Sequence, residues 1–135
     1  MKNFLIVILF IFCLAGCKKI AESIGEDLIV KAMTDGQWRV TVFKRDTTNV
    51  TDSFSPYLFQ FKEGKTVEAI NNGSVESIGT WNGNAENKTI ASAFSNGNAT
   101  LKLLNGTWQI TKNSLTYVEA TQTANNEVRT LRLDK

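Results

Sequence analysis

From Trp38 to the C-terminus, apolar residues fall at every second position, and short clusters of Gly, Asn, Asp and Ser interrupt them. Successive side chains of a strand point to opposite faces, so this alternation specifies half-buried strands and excludes a helical domain. Eight strands are expected, at 37–44, 56–62, 65–71, 74–82, 87–94, 102–112, 114–121 and 127–133. Between them lie Glu63-Gly64, Asn71-Asn72-Gly73, Asn82-Gly83-Asn84, Ser95-Asn96-Gly97-Asn98, Lys112-Asn113 and Asn125-Asn126, residue types that accept the backbone angles of tight turns. The single proline, Pro56, opens a strand and removes no ladder hydrogen bond. Strands joined by such short links pair consecutively, which implies an all-β antiparallel meander, closed into a barrel or folded into a sandwich. Connections after the second, fourth and sixth strands are short and those after the first, fifth and seventh longer, with 45–55 the longest. A barrel of this kind has one tight end and one open end.

The N-terminus follows a different rule. After Lys2, residues Phe4 to Leu14 form an apolar run too short for a membrane span, which needs about 20 residues. It matches a signal-peptide core. The run ends in Leu14-Ala15-Gly16-Cys17, where small residues let a peptidase approach the backbone and leave a thiol to carry lipid. This resembles the lipobox of bacterial lipoproteins. It implies a cleaved signal peptide at 1–16, lipidation of Cys17, a lipidated tether at 17–22 and a domain at 23–135. Membrane attachment then comes from diacylglycerol and acyl chains such as palmitate, because two or three chains hold firmly where one does not. Lys18 occupies the position where aspartate would resemble an inner-membrane retention signal, and Lys18-Lys19-Ile20-Ala21 lacks the acidic cluster of surface-exported lipoproteins. The outer membrane, on its periplasmic face, is the expected location.

Ser23-Ile24-Gly25-Glu26 reads as a capping box, and Ile24, Leu28 and Ala32, with Ile29 and Met33, make an apolar stripe at helical spacing. Asp35-Gly36 ends this helix. It precedes the first strand, so it falls at the tight end of the barrel. Its acidic face (Glu22, Glu26, Asp27) suits packing on the domain better than lying on anionic lipid.

Composition removes several functions. There is no histidine, which excludes Ser-His-Asp and Cys-His nucleophilic sites and His-ligated zinc. Neither metal nor cofactor is expected. Of the two cysteines, Cys13 is lost with the signal and Cys17 is consumed by lipid, so the domain depends on its core and not on a disulfide. With 15 basic and 13 acidic residues, one of the bases in the signal, no nucleic-acid partner is expected. Glu63, Glu68, Asp46 and Asp52 read as solvated turn, strand and loop carboxylates, so no enzyme is expected.

Gly36-Gln37-Trp38 opens the first strand after a short helix and resembles the Gly-x-Trp signature of lipocalins. Gly79-Thr80-Trp81 and Gly106-Thr107-Trp108 repeat it, and Phe59-Gln60-Phe61 followed by Glu63-Gly64 and Val67 is similar too. The resemblance is to the lipocalin-like lipoproteins of Bacteroidetes-type bacteria and covers 23–135. It implies an eight-stranded up-and-down barrel with the helix at its closed end, and binding of a small apolar molecule. It also implies an arginine from the chain's end against Trp38. Arg132 lies at the right end of the last strand, with a parity opposite to Leu131 and Leu133.

Parity places Trp38, Val40 and Val42 inward, then Tyr57, Phe59 and Phe61, Val67 and Ala69, Leu104, Trp108 and Ile110, and Leu115, Tyr117, Leu131 and Leu133. The fourth strand offers Gly79 and Trp81, or the opposite set with Ile78. The fifth offers Ile90, Ser92 and Phe94, or Thr89, Ala91 and Ala93. Trp38 and Trp81 read as a structural base under the barrel. Tyr57, Phe59, Ala69, Trp108 and Tyr117 either fill the core or line a pocket, and the small Ala69, Gly79 and Gly106 favour a cavity. A last hairpin centred on Ala124 would set Glu119 against Arg129 inside the open end, either as a rim ion pair or as a carboxylate-binding guanidinium. Two functions follow: a monomeric carrier of a small hydrophobic or amphipathic ligand, or a non-enzymatic interaction or inhibitor protein whose filled barrel acts through loops 45–55 and 95–100.

Overall fold

A computed structural model describes residues 25–135. The expected signal peptide, Cys17, the tether and the Ser23 cap lie outside the described residues. Helix α1 (25–34) leads into β1 (Arg39–Arg45), β2 (Thr48–Asn49), a 3₁₀ turn (Thr51–Phe54), β3 (Tyr57–Phe61), β4 (Thr66–Asn71), β5 (Ser74–Asn84), β6 (Thr89–Ala93), α2 (Ala99–Lys102), β7 (Gly106–Asn113), β8 (Tyr117–Ala124) and β9 (Glu127–Asp134). All strands pair antiparallel in one sheet, in the order β2-β1-β9-β8-β7-β6-β5-β4-β3. Among the described residues there are nine strands, not the eight expected; the extra one is β2, inside the 45–55 connection.

The sheet curls until β1 meets β3. The two are joined at one antiparallel pair, with Trp38 N–H donating to Phe59 O at 2.9 Å and Phe59 N–H to Trp38 O at 2.8 Å. Higher up, β1 turns its free edge to its own following segment. Thr51 Oγ1 accepts from Phe43 N–H, and Val50 N–H donates to Phe43 O, both at 2.9 Å. A continuous ladder across this seam, as an ideal up-and-down barrel requires, is replaced by one backbone pair and a folded loop.

The core is one cluster, and much of it follows parity. Tyr57, Phe59, Phe61, Val67, Ala69, Trp81, Leu131 and Leu133 are buried as expected. The open alternatives resolve toward Gly79 and Trp81, with Ile78 59% exposed, and toward Ile90, Ser92 and Phe94, which face the interior. Gly79 is required by space: a Cβ there would stand 2.5 Å from Ala93 O and 2.9 Å from the Phe94 ring.

Departures from parity occur at bulges and turns. Between Val40 and Val42 the β1–β9 register shifts, so Thr41 is extra and Phe43 becomes the buried residue in place of Val42. Residues 99–102, partly assigned to a strand, are helical because Asn98 Oδ1 caps Leu101 N–H at 2.9 Å and turns Leu101 into the core. The strand restarts at Gly106, whose φ of +106° suits glycine. Residues 114–116 are turn, not strand. Ser114 Oγ accepts from Thr116 and Tyr117 N–H, and Leu115, expected inside, is 74% exposed at the tip.

Each Gly-x-Trp tryptophan makes the same kind of bond. The indole N–H of Trp38 donates to Met33 O (2.8 Å), that of Trp81 to Lys62 O (3.0 Å) and that of Trp108 to Leu104 O (2.9 Å). A buried indole needs an acceptor, and here each ties a connecting segment to the sheet. Trp38 thereby fixes α1. Ile29 of α1 lies over Gly83, where a Cβ would come within 2.6 Å of it.

Candidate functional site

The barrel interior was the expected site, and its geometry is set by two covers. At the upper end Phe54, fully buried, stacks on Phe43 with ring centroids 4.9 Å apart. Phe43 in turn meets the edge of Trp108 at 5.8 Å. Leu101 and Leu104, on and just after α2, are buried beside them. Phe54, the aromatic residue of loop 45–55, is therefore a plug. At the other end α1 and Trp38 cover the interior. Between the covers remains a void of about 40 Å³, lined by residues including Phe59, Val67, Phe94, Trp108, Ala120 and Leu131. Such a space holds little more than one or two waters, and its walls are apolar.

The residues singled out for ligand contact separate. Phe59 and Trp108 face the void. Ala69 is buried opposite Phe59 across the β3–β4 pair. Tyr57 is buried at the upper end, where its hydroxyl donates to Glu76 Oε2 at 2.5 Å and accepts from Asn98 Nδ2 at 2.8 Å. Burial, then the hydrogen bond to Glu76, pushes the Tyr57 hydroxyl above its ordinary pKa. Glu76 reaches it because it is the extra residue of a bulge: Ala69 pairs with Ser77 and Ile70 with Val75. Among the described residues, Asn71 Oδ1 and Ser77 Oγ are buried without a partner, and both lie near this bulge.

Tyr117 and Glu119 are not inside. The last hairpin turns at Asn125-Asn126, both at positive φ (52° and 62°), a two-residue turn that pairs Ala124 with Glu127. Glu119 then opposes Arg132, and Gln122 opposes Arg129. The expected Glu119–Arg129 pair and the centring on Ala124 are corrected by this register. On the outer face Arg132 donates to Glu119 Oε1 at 2.7 Å and to Asp134, and its guanidinium lies 4.5 Å above the Tyr117 ring. Arg129 keeps the interior parity at the upper rim, bonded to Glu127 at 2.7 Å, with Gln122 Oε1 and Leu103 O at 3.4 Å. Its charge is met by Glu127, which Arg45 also holds at 3.0 Å. The cation against Trp38 is Lys135, with Nζ 4.9 Å from the ring, not Arg132. No sequence reading singled out Lys135, although its place at the chain's end beside Asp134 was the available signal.

Hydrogen bonds from Arg45 and Arg129 hold the Glu127 carboxyl below its ordinary pKa, and that from Arg132 does the same for Asp134. Groups lowered in the folded state add stability that is fully present above the ordinary carboxylate values of 4.5 and 3.8 and is lost as pH falls through the folded ones. Urea midpoints are therefore expected to fall between pH 6 and pH 3, and Glu127→Gln to flatten that fall. An equal slope in the variant would show that Glu127 plays no part.

A second space lies at the α1 end of the barrel, between α1, the inner face of β6 to β8 and the β7–β8 turn. This cleft, of about 310 Å³, is lined by Ile29, Met33, Trp38, Ile110 and Val118, with Leu28 and Leu115 at its lips. Ile90 and Val118 border both it and the interior void.

Comparison with known proteins gives the fold and no more. No protein-family model matches the chain, and no curated protein matches it. Among solved structures it resembles a DUF4847 family protein from Bacteroides vulgatus, solved at 1.00 Å, with a TM-score of 0.56 over 78% of this chain and 96% of that one at 11% identity. The chain thus shares an antiparallel β-barrel-like architecture with a protein from a Bacteroides species.

Proposed function

We propose that this chain is a lipoprotein of lipocalin-like type, acylated at Cys17, held at the periplasmic face of the outer membrane, and acting as a non-enzymatic interaction protein with a filled barrel. Supporting the anchor are the lipobox Leu14-Ala15-Gly16-Cys17 and the fact that no described helix is long and apolar enough to cross a membrane. The observation that carries the choice of mode is the interior volume. Ligand pockets run from about 300 Å³ upward, whereas the space between the covers is about 40 Å³. Rigid, well-packed walls leave the exposed upper loops, with Arg45, Thr47 and Thr48, as the surface free to vary. The other mode, a carrier of a small hydrophobic or amphipathic molecule, needs Phe54 and α2 to lift away from Phe43.

A thermal-shift series with fatty acids of increasing length, followed by native mass spectrometry, tests the choice. The filled barrel predicts no shift and no co-purified mass. It also predicts a stoichiometric partner that is lost when Arg45, Thr47 and Thr48 become alanine. A saturable shift with a bound acyl compound would restore the carrier.

A further inference from the structure

Among the described residues the exposed large apolar side chains are Leu28, Val75, Ile78, Leu115 and Val128, and the two most exposed of these, Leu115 at 74% and Leu28 at 62%, flank a single cleft. Neither position is explained by the fold. Leu115 is the tip of a turn whose conformation Ser114 already secures, a place where polar residues serve as well. Leu28 is on α1, but Met33, with Ile29 and Val30, supplies the helix's contact with the core. Between them the walls are apolar, so the cleft, at about 310 Å³, exposes a continuous greasy surface at this end of the barrel.

The chain itself says what lies opposite. Cys17 precedes Gly25, the first described residue of α1, by eight positions. Eight residues span at most about 29 Å even when fully extended. On the anchored-lipoprotein reading, on which this inference rests, a bilayer therefore lies within reach of α1, and the β8–β9 turn is carried on the far side of the barrel.

We infer that the α1 end of the barrel seats on the lipid bilayer, with Leu28 and Leu115 entering its acyl region on either side of the cleft. Two leucines alone bind a bilayer weakly, and the tether makes the contact effective by holding them at high local concentration. The exposed charges nearest in sequence to the cleft's lining are mixed, Glu26 and Asp27 against Lys31 and Lys112, and the lining itself carries none, so the contact is apolar and independent of anionic lipid.

The test uses the acylated protein reconstituted into phosphatidylcholine vesicles with brominated acyl chains, which quench tryptophan at depth. Leu115→Trp is compared with Val128→Trp, each corrected for the three tryptophans of the parent. Position 115 is expected to be quenched at least about twofold more than position 128, and to stay so in about 0.5 M salt, where charge contacts are screened. Equal quenching at both positions, with the protein retained on the vesicles, overturns the docking alone. A protein that does not stay with the vesicles overturns the anchor and the docking together. Shielding of position 115 that rises with protein concentration in the absence of vesicles overturns it in favour of a second copy, and shielding by free fatty acid in favour of a soluble ligand.

Discussion

Replacing Trp38 with alanine is expected to cost about 3–5 kcal/mol, a large part of the 5–15 kcal/mol typical of a domain. The ring is fully buried, so its loss leaves a cavity that the sheet cannot close. Two further ties go with it. The indole N–H no longer satisfies Met33 O, which loosens α1 on the sheet, and Lys135 loses the ring beneath its ammonium. Trp38→Phe separates these contributions. It keeps most of the apolar volume and leaves Met33 O short of a donor, at a cost of about 1–3 kcal/mol. Urea unfolding of both variants measures the difference, and a loss below about 1 kcal/mol in Trp38→Ala would show that the base of the barrel is not held this way.

Phe54→Ala has a comparable cost, again about 3–5 kcal/mol, and a functional consequence. Phe54 reaches Phe43 from a segment in which Val50 is the only other apolar side chain against the core, so little else fills its place. The variant should carry an apolar hole at the upper cover. Holes of about 150 Å³ lined by apolar side chains stay dry and take up benzene. Benzene and toluene are therefore expected to raise the melting temperature of Phe54→Ala and leave the parent unchanged. If the parent shifts as much as the variant, the cover opens on its own and the filled-barrel proposal fails.

Much of the fold was legible because alternation is a strong signal where nothing interrupts it. Tyr57-Leu58-Phe59-Gln60-Phe61 and Val67-Glu68-Ala69 carry it cleanly, and their inward sets match the buried ones. What alternation cannot register is an added residue. Thr41 and Glu76 each sit at a bulge, and beyond Thr41 every inward assignment reverses, which is why Phe43 and not Val42 joins the core. The Glu119–Arg129 idea failed for a related reason. Asn125-Asn126 dictates a two-residue turn and the Ala124–Glu127 pair, and centring the hairpin on Ala124 instead displaced the whole ladder, setting Glu119 against Arg129 and not Arg132. The upper cover was hidden because Phe54 is a lone apolar residue among Thr, Asp and Ser. A single aromatic in such company is itself the signal, since a loop with no packing duty has no need of one.

The join at Trp38 and Phe59 gives the sheet a preferred place to part. Elsewhere, separating neighbouring strands breaks a row of backbone bonds, whereas here two amides hold the edges together at the base. Hydrogen exchange at these amides should accordingly outpace that of the β8–β9 ladder, although both residues are buried as deeply as any in the molecule. Unzipping from this line would open the barrel while β1 stayed laddered to β9 and β3 to β4, so the first step of unfolding and the widest route to the interior coincide.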